Sequence, residues 1–192
     1  MFASVSGDNM KWNDVVPDIS ARVVDDLTKG WSAVDIVRLV SASKDTPLVV
    51  CSSEVREKIL THLTARNVEL GGLLVGRVYS LGNLSEGVVA IEVVNAIPSD
   101  DYDSTSVSLS MNSSVWMSAN EYTDSGIFVV GWYHSHPNLG AFFSGVDRKT
   151  QSDFFNHSYS LGLVIDPIRK EEKWFIGANS AEVNAQHIVK NI

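Results

Sequence analysis

The stretch Gly131-Trp-Tyr-His134-Ser-His136-Pro137, followed by Ser144 and Asp147, holds the side chains of this sequence best suited to chemistry. It sets out a zinc site with three ligands, where a structural zinc normally has four. The open fourth position suits a water, and with it hydrolysis. A further acid stands upstream: in Val68-Glu69-Leu-Gly71-Gly72-Leu-Leu-Val-Gly76, Glu69 lies at the mouth of an otherwise apolar segment. A buried carboxylate without a partner is costly, so Glu69 belongs either in solvent or beside a cation.

The local pattern is able to bring these groups together. Phe128-Val-Val-Gly-Trp-Tyr133 is rich in β-branched and aromatic residues and reads as a buried strand running into the histidines. Residues two apart on a strand share a face at a spacing of roughly 6.5 to 7 Å, so both imidazoles can reach one ion while Ser135 points away. Pro137 has no amide hydrogen and ends the strand, and Asn138-Leu-Gly140 makes a loop. Ser144-Gly-Val-Asp147 then has the form of a helix start, an N-cap with an acid three residues later. Each piece also has a plainer reading. Ser144 and Asp147 can be a capping pair only, histidines in strands often satisfy local hydrogen bonds, and Glu69 can be a solvated strand end.

Together, Glu69, His134-Ser-His136, Ser144 and Asp147 resemble the signature of the JAMM (MPN-plus, JAB-domain) zinc metalloproteases. Gly71-Gly72-Leu-Leu-Val-Gly76, Val130-Gly-Trp-Tyr133, Gly145-Val-Asp147 with Thr150-Gln151, and Leu163-Val-Ile-Asp166-Pro167 are similar to the same family. The likeness extends from about Thr46 to Asn179, and around the histidines it is strongest to the proteasome-lid deubiquitinases. The resemblance implies an α+β fold of the JAMM/MPN, cytidine-deaminase-like type, a mixed β-sheet flanked by helices. It implies one catalytic Zn²⁺ held by His134, His136 and Asp147, with a water in the fourth place. Glu69 would be the general base and Ser144 the hydroxyl donor to an oxyanion.

The substrate so implied is an isopeptide bond between lysine and ubiquitin or a ubiquitin-like modifier, or else a modifier precursor. Ser99-Asp-Asp-Tyr-Asp-Ser-Thr-Ser106 would grip the modifier's tail, although an ordinary acidic surface loop is the plainer reading of that segment. The short chain suggests a bacterial member serving a ubiquitin-like conjugation system, antiviral defence included. Two further readings stay open: a processing peptidase for sulfur-carrier proteins, and a modifier-binding scaffold with a structural metal.

Composition narrows the classes. With 192 residues and 44% hydrophobic content the chain can bury one substantial core, read as a JAMM-type domain over residues 46–192 behind an extension at 1–45. Lys and Arg number 15 against 23 Asp and Glu, a net charge of −8 that argues against nucleic acid as a main partner. Cys51, the single cysteine, reads as a small buried strand residue and agrees with a reducing compartment. No basic start or long apolar run marks a targeting or membrane segment, so a soluble, cytoplasmic protein without a membrane partner is expected.

The remaining elements follow from periodicity. Asp18 to Lys29 is expected as a helix closed by Gly30, and Trp31 to Val40 as a second helix with Ser32 and Asp35 at its start. Trp12 and Trp31 suggest that the extension packs on its own domain, the alternative being a partner or a homodimer. Pro47 to Cys51 reads as a strand, and Ser53 as the cap of a helix through Ala65. Leu70 to Tyr79 and Val88 to Ala96 read as strands joined through a Gly82-Asn83 turn, with a further alternating stretch at Val107 to Ser110. A helix follows from Asn112 or Ser113 to Tyr122, and Ser160 to Ile165 with Lys173 to Ala178 forms a closing hairpin. His62, His157 and His187 are expected at the surface.

Overall fold

The computed structural model describes residues 2–4, 11–13, 21–42, 46–81, 87–99, 113–122 and 126–190. Strands β1 (Phe2–Ser4) and β2 (Lys11–Asn13) pair antiparallel as a ribbon of their own. There follow β3 (Arg22–Val23), α1 (Ala33–Ser41), β4 (Leu48–Cys51), α2 (Ser53–Leu63), β5 (Gly71–Ser80) and β6 (Ala90–Pro98). The second half holds α3 (Ser113–Asn120), β7 (Phe128–Ser135), α4 (Gly145–Phe154), β8 (Leu161–Asp166), β9 (Glu171–Ile176), β10 (Ala181–Glu182) and β11 (Ile188–Val189).

Nine of these strands make one mixed sheet in the order β10-β9-β8-β7-β5-β6-β4-β11, with β3 added beside β5. The fold is the expected α+β arrangement, a mixed sheet with four α-helices among the described residues. Central β5 runs antiparallel to β6 and β7, and β7 runs parallel to β8. Because helices cover both faces, β5 is apolar along nearly its whole length instead of alternating. Val55, Ile59 and Leu63 of α2 pack on one face with Leu74, Val78, Val130 and Tyr133. Val115 and Ala119 of α3, with Phe155 at the end of α4, pack on the other face with Leu73, Val75, Trp132 and Phe175.

A β-bulge decides which face the histidines reach. In the β5–β7 ladder Leu74 opposes Gly131 and Val75 opposes Val129, so Val130 is an extra residue in β7. An inserted residue reverses the side-chain phase beyond it. Val130 therefore packs with α2, yet Trp132, two residues on, packs with the α3 and α4 side.

The amino-terminal segment differs from the helix expected over Asp18 to Lys29, of which residues 18–20 lie outside the described ones. Arg22 and Val23 pair parallel with Tyr79 and Ser80, and a single 3-10 turn, Val24–Asp26, carries the chain to buried Leu27. Adjacent β-branched valines beside a strand end favour pairing over a helical turn. The second helix forms as expected, with Ser32 Oγ accepting from the Asp35 amide at 3.2 Å. Leu27 and Leu39 are buried with Leu48, Val50 and Tyr79, and Trp31 packs against this group, so the segment lies on its own sheet. The α2 cap is Ser52 and not Ser53; the Ser53 hydroxyl donates to Lys190 O. Cys51 is 1% exposed, and burial pushes its thiol up to about 12, as an inert strand residue requires. The Gly82-Asn83 turn, Val107 to Ser110 and Asn112 lie outside the described residues. Among the described residues no helix is long and apolar enough to cross a membrane.

The β8–β9 turn is organised by Asp166, which is fully buried. Its carboxylate accepts from the amides of Asn138 (3.0 Å), Gly140 (2.7 Å), Ile168 (2.9 Å) and Arg169 (3.0 Å). Burial alone would raise its pKa, but these four donors outweigh it and hold the group at about 2. A depressed pKa stabilises the fold fully above the ordinary carboxylate range, and that contribution vanishes as pH falls through the folded value. Asp166→Asn should cost about 2 kcal/mol at neutral pH. The gap between native and variant in urea unfolding should narrow between about pH 4 and pH 2; a gap that stays constant with pH contradicts this account.

Candidate metal centre

His134 is the penultimate residue of β7, His136 directly follows the strand, and Asp147 lies in the first turn of α4; the three are 1%, 5% and 6% exposed. One ligand atom from each lies within 4.8 Å of the others. His134 Nε2 and His136 Nε2 are 3.1 Å apart, Asp147 Oδ1 is 3.3 Å from His134 Nε2, and Asp147 Oδ2 is 3.6 Å from His136 Nε2. Tetrahedral ligands at the usual zinc distances stand about 3.3 Å from one another. Each imidazole thus has the other ring and one Asp147 oxygen at close to that separation, and the donor set of two imidazoles and a carboxylate fits zinc chemically.

Local structure explains the convergence. The α4 start is a capping box: Ser144 Oγ accepts from the Asp147 amide at 3.2 Å, and the Ser144 amide donates to Asp147 Oδ2 at 2.6 Å. That box fixes the carboxylate with Oδ1 turned to His134. Burial raises the Asp147 pKa, but hydrogen bonds from His134 and Ser144 and the charge of His134 outweigh it, leaving the group at about 2. Burial, and then the neighbouring His134, lowers the His136 pKa, which keeps its ring neutral as a metal ligand requires.

Glu69 comes in from the loop before β5, with its Oε1 4.0 Å from His136 Nε2 and its side chain 33% exposed. Burial raises its pKa; His134 counters this and Asp147 adds to it. The β5–β7 register, with Gly71 opposite His134, sets its approach. Ser135 reinforces this from the far side: its amide donates to Leu70 O at 2.8 Å and its Oγ accepts from Leu70 N at 3.0 Å. The structure therefore brings His134, His136, Asp147, Ser144 and Glu69 into one neighbourhood. Ser99 is buried at the end of β6, whereas 100–106 lie outside the described residues.

Two supporting features, the Trp132–Gln151 pair and Gly162, have no role assigned from the sequence. Trp132 lies flat against His134, with ring centroids 4.6 Å apart and planes 7° apart, and its Nε1 donates to Gln151 Oε1 at 2.7 Å. Gln151, fully buried, donates in turn to Phe155 O and Ser160 O at 3.1 and 3.0 Å. Its signal in sequence is its spacing, one helical turn after Asp147. Gly162 is the second: a Cβ there would lie 2.3 Å from Phe143. The bare backbone lets Phe143 lie over β8, stacked on Phe175 at 4.0 Å, directly ahead of Ser144. Of the other histidines, His157 is exposed as expected. His62 is half-buried, its Nδ1 3.0 Å from the Tyr133 hydroxyl, which gives that buried phenol a partner.

Comparison with known proteins agrees with this geometry. Residues 52–176 match the family described as prokaryotic homologs of the JAB domain. The COP9 signalosome complex subunit 5 of Candida glabrata is 30% identical over 158 residues, 73% of this chain and 32% of that protein. The ubiquitin carboxyl-terminal hydrolase RPN11 of Saccharomyces cerevisiae is 50% identical over 42 residues, 21% of this chain and 14% of that protein. The chain thus spans a third or less of these relatives. A Desulfitobacterium hafniense protein solved in solution superposes with a TM-score of 0.57 at 23% identity, over 74% of this chain and 92% of its own, a likeness of fold. The chain belongs to the JAB-domain family, in its prokaryotic branch.

The purified protein is expected to bind one equivalent of Zn²⁺ and His136→Ala to lose it, read by metal analysis after dialysis. Gln151→Leu strands the Trp132 indole and two buried carbonyls, so it should cost about 3 kcal/mol in denaturant unfolding. It should also weaken zinc about tenfold in competition with a chelator, because His134 loses its fixed backing. Unchanged zinc affinity would remove Gln151 from the support of the site.

Proposed function

We propose that this protein is a zinc-dependent isopeptidase or peptidase that cleaves ubiquitin or a ubiquitin-like modifier from lysine conjugates or from a precursor. The observation that carries the reading is Glu69, a partly exposed carboxylate 4.0 Å from His136 at the edge of a three-ligand cluster. A closed structural site needs a fourth ligand, and among the described residues the cluster contains three. His134, His136 and Asp147 hold the ion. Bound Zn²⁺ supplies Lewis acidity, which polarises a carbonyl and makes water nucleophilic at neutral pH.

The chain's own groups do the rest. Glu69 is close enough to the ligands to accept a proton from the attacking water, and exposed enough to deliver it to the departing amine. Ser144 Oγ already accepts from the Asp147 amide, so its hydroxyl hydrogen is available to an oxyanion. Capping and catalysis therefore use opposite ends of one hydroxyl. The substrate class rests on the family and on relatives named as a ubiquitin carboxyl-terminal hydrolase and as a signalosome subunit. Asp100, Asp101 and Asp103 supply the acidity that would meet a basic modifier tail.

Glu69→Gln should keep zinc and reduce kcat about 10²- to 10⁴-fold. Ser144→Ala should reduce it about 10²-fold with zinc retained. Product masses from modifier fusions, with and without chelator, measure both; cleavage that survives Glu69→Gln or zinc removal rejects the mechanism. Reversing the charges of Asp100, Asp101 and Asp103 should raise KM, and unchanged turnover removes that loop from substrate binding.

A further inference from the structure

Helix α1 turns an apolar side to solvent. Its inner side carries buried Leu39 with Asp35 and Arg38, the only charged residues of the helix, and both charges are already engaged. Arg38 Nη1 donates to Asp35 Oδ1 at 3.1 Å, and the Ser32 hydroxyl donates to Asp35 Oδ2 at 2.6 Å. The outer side is Ala33, Val34, Ile36, Val37, Val40 and Ser41, all exposed and none charged. At the α-helical pitch these positions fall within an arc of roughly 160°. Val34, Val37 and Val40 are 62%, 65% and 79% exposed. Valine is a poorer helix former than alanine or the long polar residues, so these positions gain the lone chain neither propensity nor burial.

A second copy of this chain fits the face on three counts. The pattern of side-chain size is symmetric about Val37. In an antiparallel pair of α1 helices with the twofold axis at Val37, that residue meets its own copy. Val34 then meets Val40 of the partner subunit, and Ala33 meets Ser41 of the partner subunit, so valine lies on valine and small on small, as an isologous contact requires. Charge agrees: each chain carries −8, and a face without formal charge is where two such chains repel least. A membrane surface would call instead for cations around the apolar side, and the one arginine of α1 is paired within the helix. Area sets the strength. The two helices would cover on the order of 800 Å², below the roughly 1,200 Å² of a stable interface and within the range of a reversible one.

We propose that α1 is a self-association surface, through which two copies of this chain pair antiparallel about Val37 in a reversible dimer. Leu39 is buried in one cluster with Tyr79, near the end of β5 remote from Gly71, the residue opposite His134. The ends of that strand stand about 30 Å apart, so pairing through α1 leaves both metal centres open. The proposal is independent of the hydrolase reading.

Sedimentation equilibrium of the full chain from about 5 to 500 µM tests it, with an expected dissociation constant of about 10 to 100 µM. Val37→Glu sets two carboxylates against each other at the axis and should weaken association at least about tenfold, with zinc content unchanged. Met117→Glu, the same charge at an exposed site on α3, should leave association as it was. A chain that stays monomeric across this range overturns the proposal and gives the face to its own residues or to a different protein. Equal weakening by both substitutions also overturns it. Thiol oxidation with diamide reads the geometry. Val37→Cys should form a disulfide-linked dimer, and Val34→Cys or Val40→Cys should do so much more slowly, because only Val37 meets its own copy. Native Cys51 is buried and adds no background. Equally fast cross-linking at all three positions means parallel pairing and overturns the twofold at Val37.

Discussion

The pairing of β5 with β7 is the constraint on which the rest of the site depends. It places Gly71 opposite His134 and, through Ser135 and Leu70, fixes the residue after Glu69 against the strand that bears both histidines. The bulge at Val130 adds the second condition, because without that extra residue the side chains beyond it would exchange faces. Trp132 and the two histidines reach the α4 face only because the phase has been reversed. A slip of one residue in this ladder would bury the imidazoles under α2 and separate them from Asp147.

On the other side of the centre, one capping box does the positioning. The Asp147 carboxylate accepts from the amide of the N-cap Ser144, and its second oxygen is turned to His134. An aspartate in this role is short and held at both ends, so little side-chain entropy is lost on metal binding. The plain reading of Ser144 and Asp147 as a capping pair is thus correct, and it is compatible with the chemical one. The helix start holds a carboxylate that would otherwise be flexible in the position a metal ligand would need.

Much of this was legible in the sequence because the signals are local. His-x-His on an apolar strand, proline and a loop to end it, and serine with an acid three residues later each follow from backbone geometry, and all appear in the fold. The α1 start at Ser32 was readable for the same reason. What was not legible depends on distant partners. The bulge at Val130 is marked only weakly in sequence: Gly131 permits one, but Gly72 stands in a regular stretch of β5, so a glycine alone does not place the irregularity. Arg22 and Val23 form a strand only because the end of β5 accepts them. His62 looked like a surface histidine on α2, and only the position of the Tyr133 hydroxyl makes it a half-buried partner.

Asp166 shows how far from the ligands the site's rigidity originates. It coordinates no candidate metal position, yet its four amide partners span both the loop after His136 and the β8–β9 turn. Those bonds replace the water that would otherwise solvate the loop backbone, and they are strong because the acceptor is charged and buried. The loop so held leads through Phe143, seated over the bare backbone of Gly162, to the Ser144 cap. Mobility at any link would change the distance between His136 and Asp147, which come from opposite ends of that loop. A three-ligand centre has one contact fewer than a closed one to enforce its own geometry. The protein must therefore provide that rigidity, through one carboxylate under the loop and one glutamine behind the strand.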